Sequence, residues 1–547
     1  MIKNILIIIF ILLLGSYDNC FSQVNVEWFS TYSAGWGKNF VNDFVIDSSG
    51  NSYLTGNVAR DAGNQITAFG TVKFSSNGEL LWSHIYEGSE HGVAEGNALV
   101  VDKSGNVCVV GTCVDIDSSE NYSIIKYNSS GEVLWIRKYH SSLGGRDFAS
   151  DITIDNQNNV YVTGFTYYYG SPDNKFWSTL KYDSLGNLVW VKRYEGILNR
   201  GKQSRIIIVD ENQNVYVSGT QYGDSNKNEF CTIKYDQEGH QQWLSIYHNS
   251  GLDDEPSELL LDKIGNVYIL GQSFIPNYSF YTSLVKYNSN GDELWHVITD
   301  STGNIDFSYY RKKISFKLDS ENNIYIATTY RNFCSTLKYN SAGLLEWISK
   351  YNKNPDISFS NGLGINIDDY GYIYTTGLAF TGSVVPFLTI KHNPTGLIIW
   401  ERSYHVFNYG EFDEGAYVGF DKNNNVYIGG NHNDDNNHIK YSLLKYSQGV
   451  GISNISTEIP SNYNLYQNYP NPFNPETNIR FDIPEACHVI VKVYNNLGKQ
   501  VSVLVDNFKQ RGSYIQNFNS SELSSGIYYY NLQAGNFSET KKMVVLK

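Results

Sequence analysis

The chain is short of several things, and each shortage excludes something. Two Met in 547 residues and little heptad pattern leave no case for a coiled coil or a helical bundle. There is no basic surplus: 41 Lys and Arg against 55 Asp and Glu give a net charge of −14, which argues against a nucleic-acid partner, since phosphate binding needs a basic surface. Cysteine is sparse. Beyond residue 22 there remain Cys108, Cys113, Cys231, Cys334 and Cys487, an odd number without framework spacing or any Cys-x-x-Cys pair. That pattern argues against a disulfide scaffold and against a zinc site, and for small residues buried in strands. No apolar stretch is long enough to cross a bilayer as a helix, the N-terminal run included.

That run is Ile5 to Leu14. It follows Lys3 and precedes the small residues Cys20 and Ser22, so residues 1–22 read as a secretory signal peptide cut before Gln23. Tyr17-Asp18-Asn19 ahead of Cys20 does not suit a lipoprotein signal.

Aromatic residues and glycine are plentiful: 44 Tyr, ten Trp and 47 Gly. Apolar residues alternate between Gly, Asn and Asp turns, the pattern of strands. The alternation is a repeat. One copy reads Ile154-Asp155, Asn159-Val160-Tyr161-Val162-Thr163-Gly164, Leu180-Lys181-Tyr182, Gly186 and Trp190. The Trp residues are Trp28, Trp82, Trp135, Trp190, Trp243, Trp295, Trp347 and Trp400, spaced 52 to 55 residues apart. Eight Asp mark the same turn: Asp47, Asp102, Asp155, Asp210, Asp262, Asp319, Asp368 and Asp421. Eight Lys mark the same strand: Lys73, Lys126, Lys181, Lys234, Lys286, Lys338, Lys391 and Lys445. A period near 50 residues with four short strands, a to d, is that of a propeller blade.

The last copy stops after Lys445-Tyr446 without its Trp, and a spare Trp strand stands at Val26-Glu27-Trp28-Phe29. Residues 24–32 are therefore expected to supply strand d of the eighth blade and close the ring, with the eight Trp dominating the core between blades. The charged Asp and Lys recur in every copy, which makes them architecture, with each Lys expected to pair with an Asp or a carbonyl inside its own blade. Trp177, at the position of Phe69, Tyr122 and Phe230, is expected in the core.

Phe176 to Tyr182, Trp190 and Asn159 to Gly164 resemble the SBBP beta-propeller family of secreted bacterial proteins over residues 24–447. That family's name implies seven blades where eight copies are counted here, and the sixth copy carries Ala327-Thr328 where others have Gly.

Composition changes after Gly451. Residues 451–462 read as a linker. Beyond it, Ile479, Phe481 and Ile483 share one face and Val489, Val491 and Val493 another, with further strands near Val501 to Val505, Ile527 to Leu532 and Lys541 to Leu546. Short alternating strands over residues 463–547 suggest a small immunoglobulin-like sandwich. This segment holds eight Lys and Arg and six Asp and Glu, so the rest of the chain carries −16. Asn468 to Pro475, Gly498-Lys499, Leu523 to Tyr528 and Lys541 to Val545 resemble the type A C-terminal sorting domain of the type IX secretion system of Bacteroidota. The resemblance implies contact with that machinery through this domain, with Asn468, Pro470, Pro472, Phe473, Pro475, Gly498 and Gly526 as its sorting motif. It also implies release from the cell or attachment at the outer-membrane surface.

The a–b and c–d turns are short and uniform and share one end of the blades. The b–c and d–a connections vary and share the other, which is where binding is expected. Candidate ligand-binding aromatics there are Trp36, Tyr167, Tyr168, Tyr169, Tyr278, Tyr281, Tyr309, Tyr310 and Tyr409, suited to stacking on a sugar face or anchoring a protein. The loop Asn431 to His438 lacks the spacing of an EF-hand and reads as solvated and polar.

Blades with Gly131-Glu132-Val133-Leu134-Trp135 turns also resemble quinone-dependent dehydrogenases, but the adjacent Cys pair of those enzymes is missing, and no nucleophile elbow, zinc helix or phosphate loop occurs. The expectation is an all-β protein: an eight-bladed propeller over residues 23–450, then the sandwich. It is expected to be monomeric, non-catalytic, without cofactor or metal, and to bind an extracellular glycan or protein. The alternative is a propeller enzyme, either a quinone-dependent dehydrogenase or a carbohydrate lyase or hydrolase.

Overall fold

The computed structural model describes residues 24–546 except 35–36, 62–65, 89–92, 115–119, 142–144, 169–174, 197–200, 224–226, 250–251, 276–278, 301–313, 331–332, 352–358, 381–384, 406–412, 435–437, 448–452, 455–459, 461, 486, 510 and 521–522. Among these residues every regular element is a strand, and no helix is long and apolar enough to cross a membrane. Contacts divide the chain into residues 26–447 and a second unit holding residues 448–547.

The first unit is built of four-stranded antiparallel sheets of the kind that make propeller blades, each with its strands in chain order. Sheet 3 is typical: a, Gly145–Ile154; b, Val160–Tyr168; c, Lys175–Tyr182; d, Leu188–Tyr194. Sheets 1, 2, 4, 5, 6 and 7 follow the same order within residues 40–86, 94–139, 201–247, 253–300, 315–350 and 359–404. Sheet 8 takes a, Asp413–Phe420, b, Val426–Asn433, and c, Ile439–Ser447, from one end of the unit and d, Asn25–Tyr32, from the other. It touches sheet 1, where Trp28 Nε1 donates to the Ser76 carbonyl at 3.3 Å and Ser30 Oγ to that of Gly78 at 2.7 Å. The Phe29 ring lies on the opposite side, near Phe387 and Tyr404 of sheet 7.

The a–b turn follows from its Asp. Asp155 Oδ1 accepts the amides of Gln157 and Asn159; Oδ2 accepts Asn159 Nδ2 and, at 3.0 Å, the Tyr161 hydroxyl. Asp47, Asp210, Asp262, Asp319, Asp368 and Asp421 likewise accept turn amides and a strand-b Tyr hydroxyl. The carboxylate thus satisfies donors that a turn would otherwise leave unpaired.

The Gly that ends the strand-b motif answers a bulge in strand a. A Cβ on Gly164 would lie 2.1 Å from the Phe148 carbonyl oxygen, and one on Gly111 only 1.9 Å from that of Glu95. In sheet 6 the equivalent residue is Thr328, and the strand-a residues before Ile314 lie outside the described residues. Where the strand-a backbone is described and crowds this position closely, as at Gly111 and Gly164, the residue is glycine.

Two expectations are corrected. The Trp residues do not fill the core. Strand d is outermost, and its Trp are half-buried apart from Trp400. The core comes instead from strands b and c, with Tyr53, Tyr161, Trp177, Tyr216 and Tyr268 fully buried. Seven of the eight Trp, all but Trp400, pack under the c–d turn of the next sheet: a Cβ on Gly186 would lie 2.9 Å from the Trp135 ring, one on Gly78 2.7 Å from Trp28. Nor do the Lys act mainly within their own sheets. Lys73 crosses the Tyr53 ring and donates to the Ser129 carbonyl of sheet 2, the acceptor also used by Trp82 Nε1. Lys181 and Trp190 share the Gln237 carbonyl, Lys234 and Trp243 that of Ser289, and Lys445 and Trp28 that of Ser76. Lys126 and Lys391 do also face an Asp of their own sheet, at 3.9 Å.

Cys108, Cys113, Cys231 and Cys334 are buried thiols, and burial pushes the first, third and fourth up to about 12.

In the second unit two four-stranded sheets share one core. One runs Ser453–Asn454, Gly512–Asn519, Glu476–Ile483, Asn464–Leu465; the other runs Gln500–Lys509, Cys487–Asn495, Gly526–Ala534, Phe537–Val545. Ile479, Phe481, Ile483, Val489, Val491 and Val493 are all fully buried in that core. Ser453 and Asn454, inside the segment read as a linker, pair with Gly512–Asn519, a strand not anticipated from the sequence.

Candidate functional site

Strand topology sets two different ends on the first unit. At the short-turn end the structure repeats. A depression of about 450 Å³ there is lined by Ile46, Asn366, Asp368, Phe420 and Asp421, largely the uniform turn residues. Among the described residues one group of three possible metal ligands occurs, Asp236, Glu238 and His240. It lies on a c–d turn, where Asp236 already accepts the Glu238 and His240 amides.

At the other end the repeat breaks down, at four ladder positions per sheet. They are the residue before the strand-a bulge, its partner on strand b, the residue two further along b, and that residue's partner on c. In sheet 1 these are Phe40, Asn57, Ala59 and Thr67; in sheet 2, Glu95, Thr112, Val114 and Glu120; in sheet 3, Phe148, Phe165, Tyr167 and Lys175; in sheet 5, Glu255, Gln272, Phe274 and Phe280. Period-two alternation puts each set on one sheet face.

Tyr167 belongs to the sheet 3 set. Its ring meets Phe148 and Phe165 at 5.6 Å each, those two stack at 5.1 Å, and Lys175 Nζ sits 4.1 Å from the Tyr167 centroid. All four side chains are half-buried. Tyr168 pairs with Gly145 in the ladder. Tyr281 is half-buried on strand c of sheet 5, beside Ser273, on the face opposite the Phe274–Phe280 contact. The structure does not bring Tyr281 and Tyr167 into one cluster. Trp36, Tyr169, Tyr278, Tyr309, Tyr310 and Tyr409 lie outside the described residues.

Phe148, Phe165, Lys175, Glu95 and Glu120 escape a reading of the loops because they sit on strand ends. The sequence does carry a sign of them: the residue after the strand-b Gly is Asn57, Thr112, Phe165, Thr220, Gln272, Leu378 or Asn431, and changes in size and polarity from copy to copy.

The stretch from Asn431 also departs from expectation. Asn431 and His432 end strand b of sheet 8 and are buried. Asn431 Oδ1 accepts the Val41 amide, and His432 Nδ1 lies 2.5 Å from Asp413, whose other oxygen is 3.0 Å from His405. Residues 435–437 lie outside the described residues.

In the second unit the Pro-rich stretch clasps the last strand. Phe473 is buried in the core, its amide donates to the Val544 carbonyl, and its carbonyl accepts the Leu546 amide. Asn471 Oδ1 accepts the Val544 amide and Gln467 Nε2 donates to the Lys542 carbonyl. The edge of Phe537–Val545 is thereby covered. Asn468, 1% exposed, donates to Thr477 Oγ1 and the Pro470 carbonyl, while its amide donates to the Tyr530 hydroxyl. Pro470, Pro472 and Pro475 are exposed and follow cis peptide bonds. The Pro475 carbonyl accepts Ser520. Gly498 takes φ of +76° in a turn capped by Asn495. Nothing in the structure requires glycine at 526.

Residues 467–546 match the family model of a secretion system C-terminal sorting domain. The clasp is thus a feature of the sorting domain, and a tail of this kind marks a chain for export to the cell surface or beyond. No curated protein matches the chain in sequence. Solved structures similar to it include PorZ, described as an essential bacterial surface component of the type-IX secretion system of Porphyromonas gingivalis. That match has 12% identity and a TM-score of 0.38, covering 91% of this chain and 64% of that one. The chain therefore spans less than two thirds of that protein's length. A eukaryotic initiation factor matches at 8% identity and a TM-score of 0.38, covering 88% and 90%. A protein of unknown function from Dyadobacter fermentans matches at 10% identity and a TM-score of 0.36, covering 77% and 99%.

Proposed function

We propose that the eight sheets are the blades of one closed propeller, that the tail is an immunoglobulin-like sandwich, and that the protein is a non-catalytic binding module. Its ligand, an extracellular glycan or protein, docks on the variable-loop end. The tail is engaged by the type IX machinery, which leaves the propeller outside the cell or on its surface.

The observation that carries the binding reading is the set of four non-repeating positions per sheet. Architecture is satisfied by identical residues in every copy, as the turn Asp show. Residues that differ from sheet to sheet at geometrically equivalent places are free to be chosen for a ligand. The Phe148, Phe165, Tyr167 and Lys175 cluster supplies aromatic rings and a cation, the groups that stack on sugars and anchor partners.

The test is a glycan array and a surface-protein capture with the purified protein, alongside Tyr167→Ala and Lys175→Ala. Saturable binding that falls in both variants at unchanged melting temperature supports the reading. Stoichiometric quinone uptake with substrate turnover, or ligand binding untouched by both substitutions, overturns it.

A further inference from the structure

Where sheet 2 faces sheet 3, toward the variable-loop end, it carries two acidic residues and a threonine on one face. Glu95 is on strand a (Ala94–Val101), Thr112 on strand b (Val107–Val114) and Glu120 on strand c (Glu120–Tyr127). The ladder pairs Glu95 with Thr112 and Glu120 with Val114. With side chains alternating, Glu95, Thr112 and Glu120 stand on one face. That face looks to sheet 3: Tyr122, which pairs with Thr112, reaches the Ser178 carbonyl of sheet 3 at 3.4 Å. From sheet 3, Arg146 Nε comes to 3.4 Å from Glu120 Oε2.

Three features mark the spot as unfilled. Thr112 is only 7% exposed, yet its hydroxyl oxygen has no hydrogen-bond partner. A buried hydroxyl is normally paired. Glu120 Oε2 is buried as well and has no hydrogen-bond partner. Arg146 faces it at 3.4 Å, but that side chain is 55% exposed, so water and salt weaken its charge. Two carboxyl side chains and a hydroxyl therefore share one sheet face, with two of their oxygens buried and without a hydrogen-bond partner. The equivalent residues are Phe40, Asn57 and Thr67 in sheet 1 and Phe148, Phe165 and Lys175 in sheet 3, so no structural demand of the sheet calls for an acid pair here.

We infer that Glu95, Glu120 and Thr112 form a binding site for one hard divalent cation of the calcium class, with water completing its coordination. Carboxylate and hydroxyl oxygens are the ligands such an ion takes, and a site with two acidic ligands suits the calcium concentrations found outside cells. Arg146 then acts as an electrostatic competitor that releases Glu120 when the ion enters. The inference does not depend on the glycan or protein reading.

Isothermal titration of the purified, chelator-treated protein with calcium chloride tests it. The expected result is saturable binding at one ion per chain, with a rise in melting temperature. Glu95→Gln and Glu120→Gln should each weaken binding by roughly tenfold or more. Thr112→Val should weaken it less, and Arg146→Gln should tighten it. No saturable uptake of calcium, magnesium or manganese overturns the inference, as does affinity unchanged in Glu95→Gln. If a Glu variant misfolds, Arg146→Gln decides: affinity unchanged or weakened in that variant also overturns the site.

Discussion

Asp254 is wholly buried at the start of strand a in sheet 5, held by the Asn249 amide at 2.6 Å. Burial pushes its carboxyl up to about 6, against the pull of Ser273, Asn249 and His248. An unfolded Asp ionises near 3.9. Between about pH 4 and pH 6 the folded chain therefore keeps a proton that the unfolded chain has lost, and stability falls as pH rises through that window. Above it the ionised, buried carboxylate is a standing penalty of roughly 3 kcal/mol at most. Asp254→Asn should raise the melting temperature at pH 7.5 and leave it nearly unchanged at pH 4, as calorimetry at the two pH values would show. The sequence marks Asp155 and its seven counterparts as struts because they recur. Recurrence does not mark Glu95 or Phe148 as it marks those struts, because what they do depends on which strand end lies opposite.

At the scale of the element, turns and strand order were legible, since Asp, Asn and Gly at fixed offsets leave few ways to join the strands. What the Lys and Trp do was not, because both act across to the next sheet and a one-dimensional pattern shows only neighbours along the chain. The strand Gly512–Asn519 went unread for a different reason. Its Asn517 and Asn519 are poor strand formers, and burial of Tyr514 and Phe518 together with pairing to Glu476–Ile483 holds it in the sheet. The sorting clasp offers a test at this scale. Asn468→Ala removes two buried hydrogen bonds from the Pro-rich stretch and should cost about 1–3 kcal/mol, confined to the tail. Limited proteolysis should then cut residues 463–547 faster while the main melting transition of the first unit stays in place. A shift of that main transition would contradict the division of the chain into two units.

At the scale of the whole molecule the decisive element is the strand Asn25–Tyr32. It supplies Trp28 to sheet 1, Phe29 to sheet 7 and the Glu27 carboxylate to Lys445 at 3.1 Å. Removing residues 24–32 should lower the melting temperature markedly and promote association through the exposed edge of Ile439–Ser447. Unchanged melting and a monomeric profile on gel filtration would contradict closure of the propeller through this strand. The pairing of this strand with the eighth copy was legible in the sequence because that copy is split. The ligand was not, because the end that would meet it is where the copies stop resembling one another.

The split sheet also imposes an order in time. Asn25–Tyr32 is synthesised roughly 400 residues ahead of the strand it pairs with, as the separation of 418 between Glu27 and Lys445 records. Until that partner is made the strand has nowhere to dock, and contacts so distant in sequence form slowly. The first seven sheets can each be complete while the eighth still lacks three of its four strands, so the eighth sheet takes shape only after the last repeat has been synthesised.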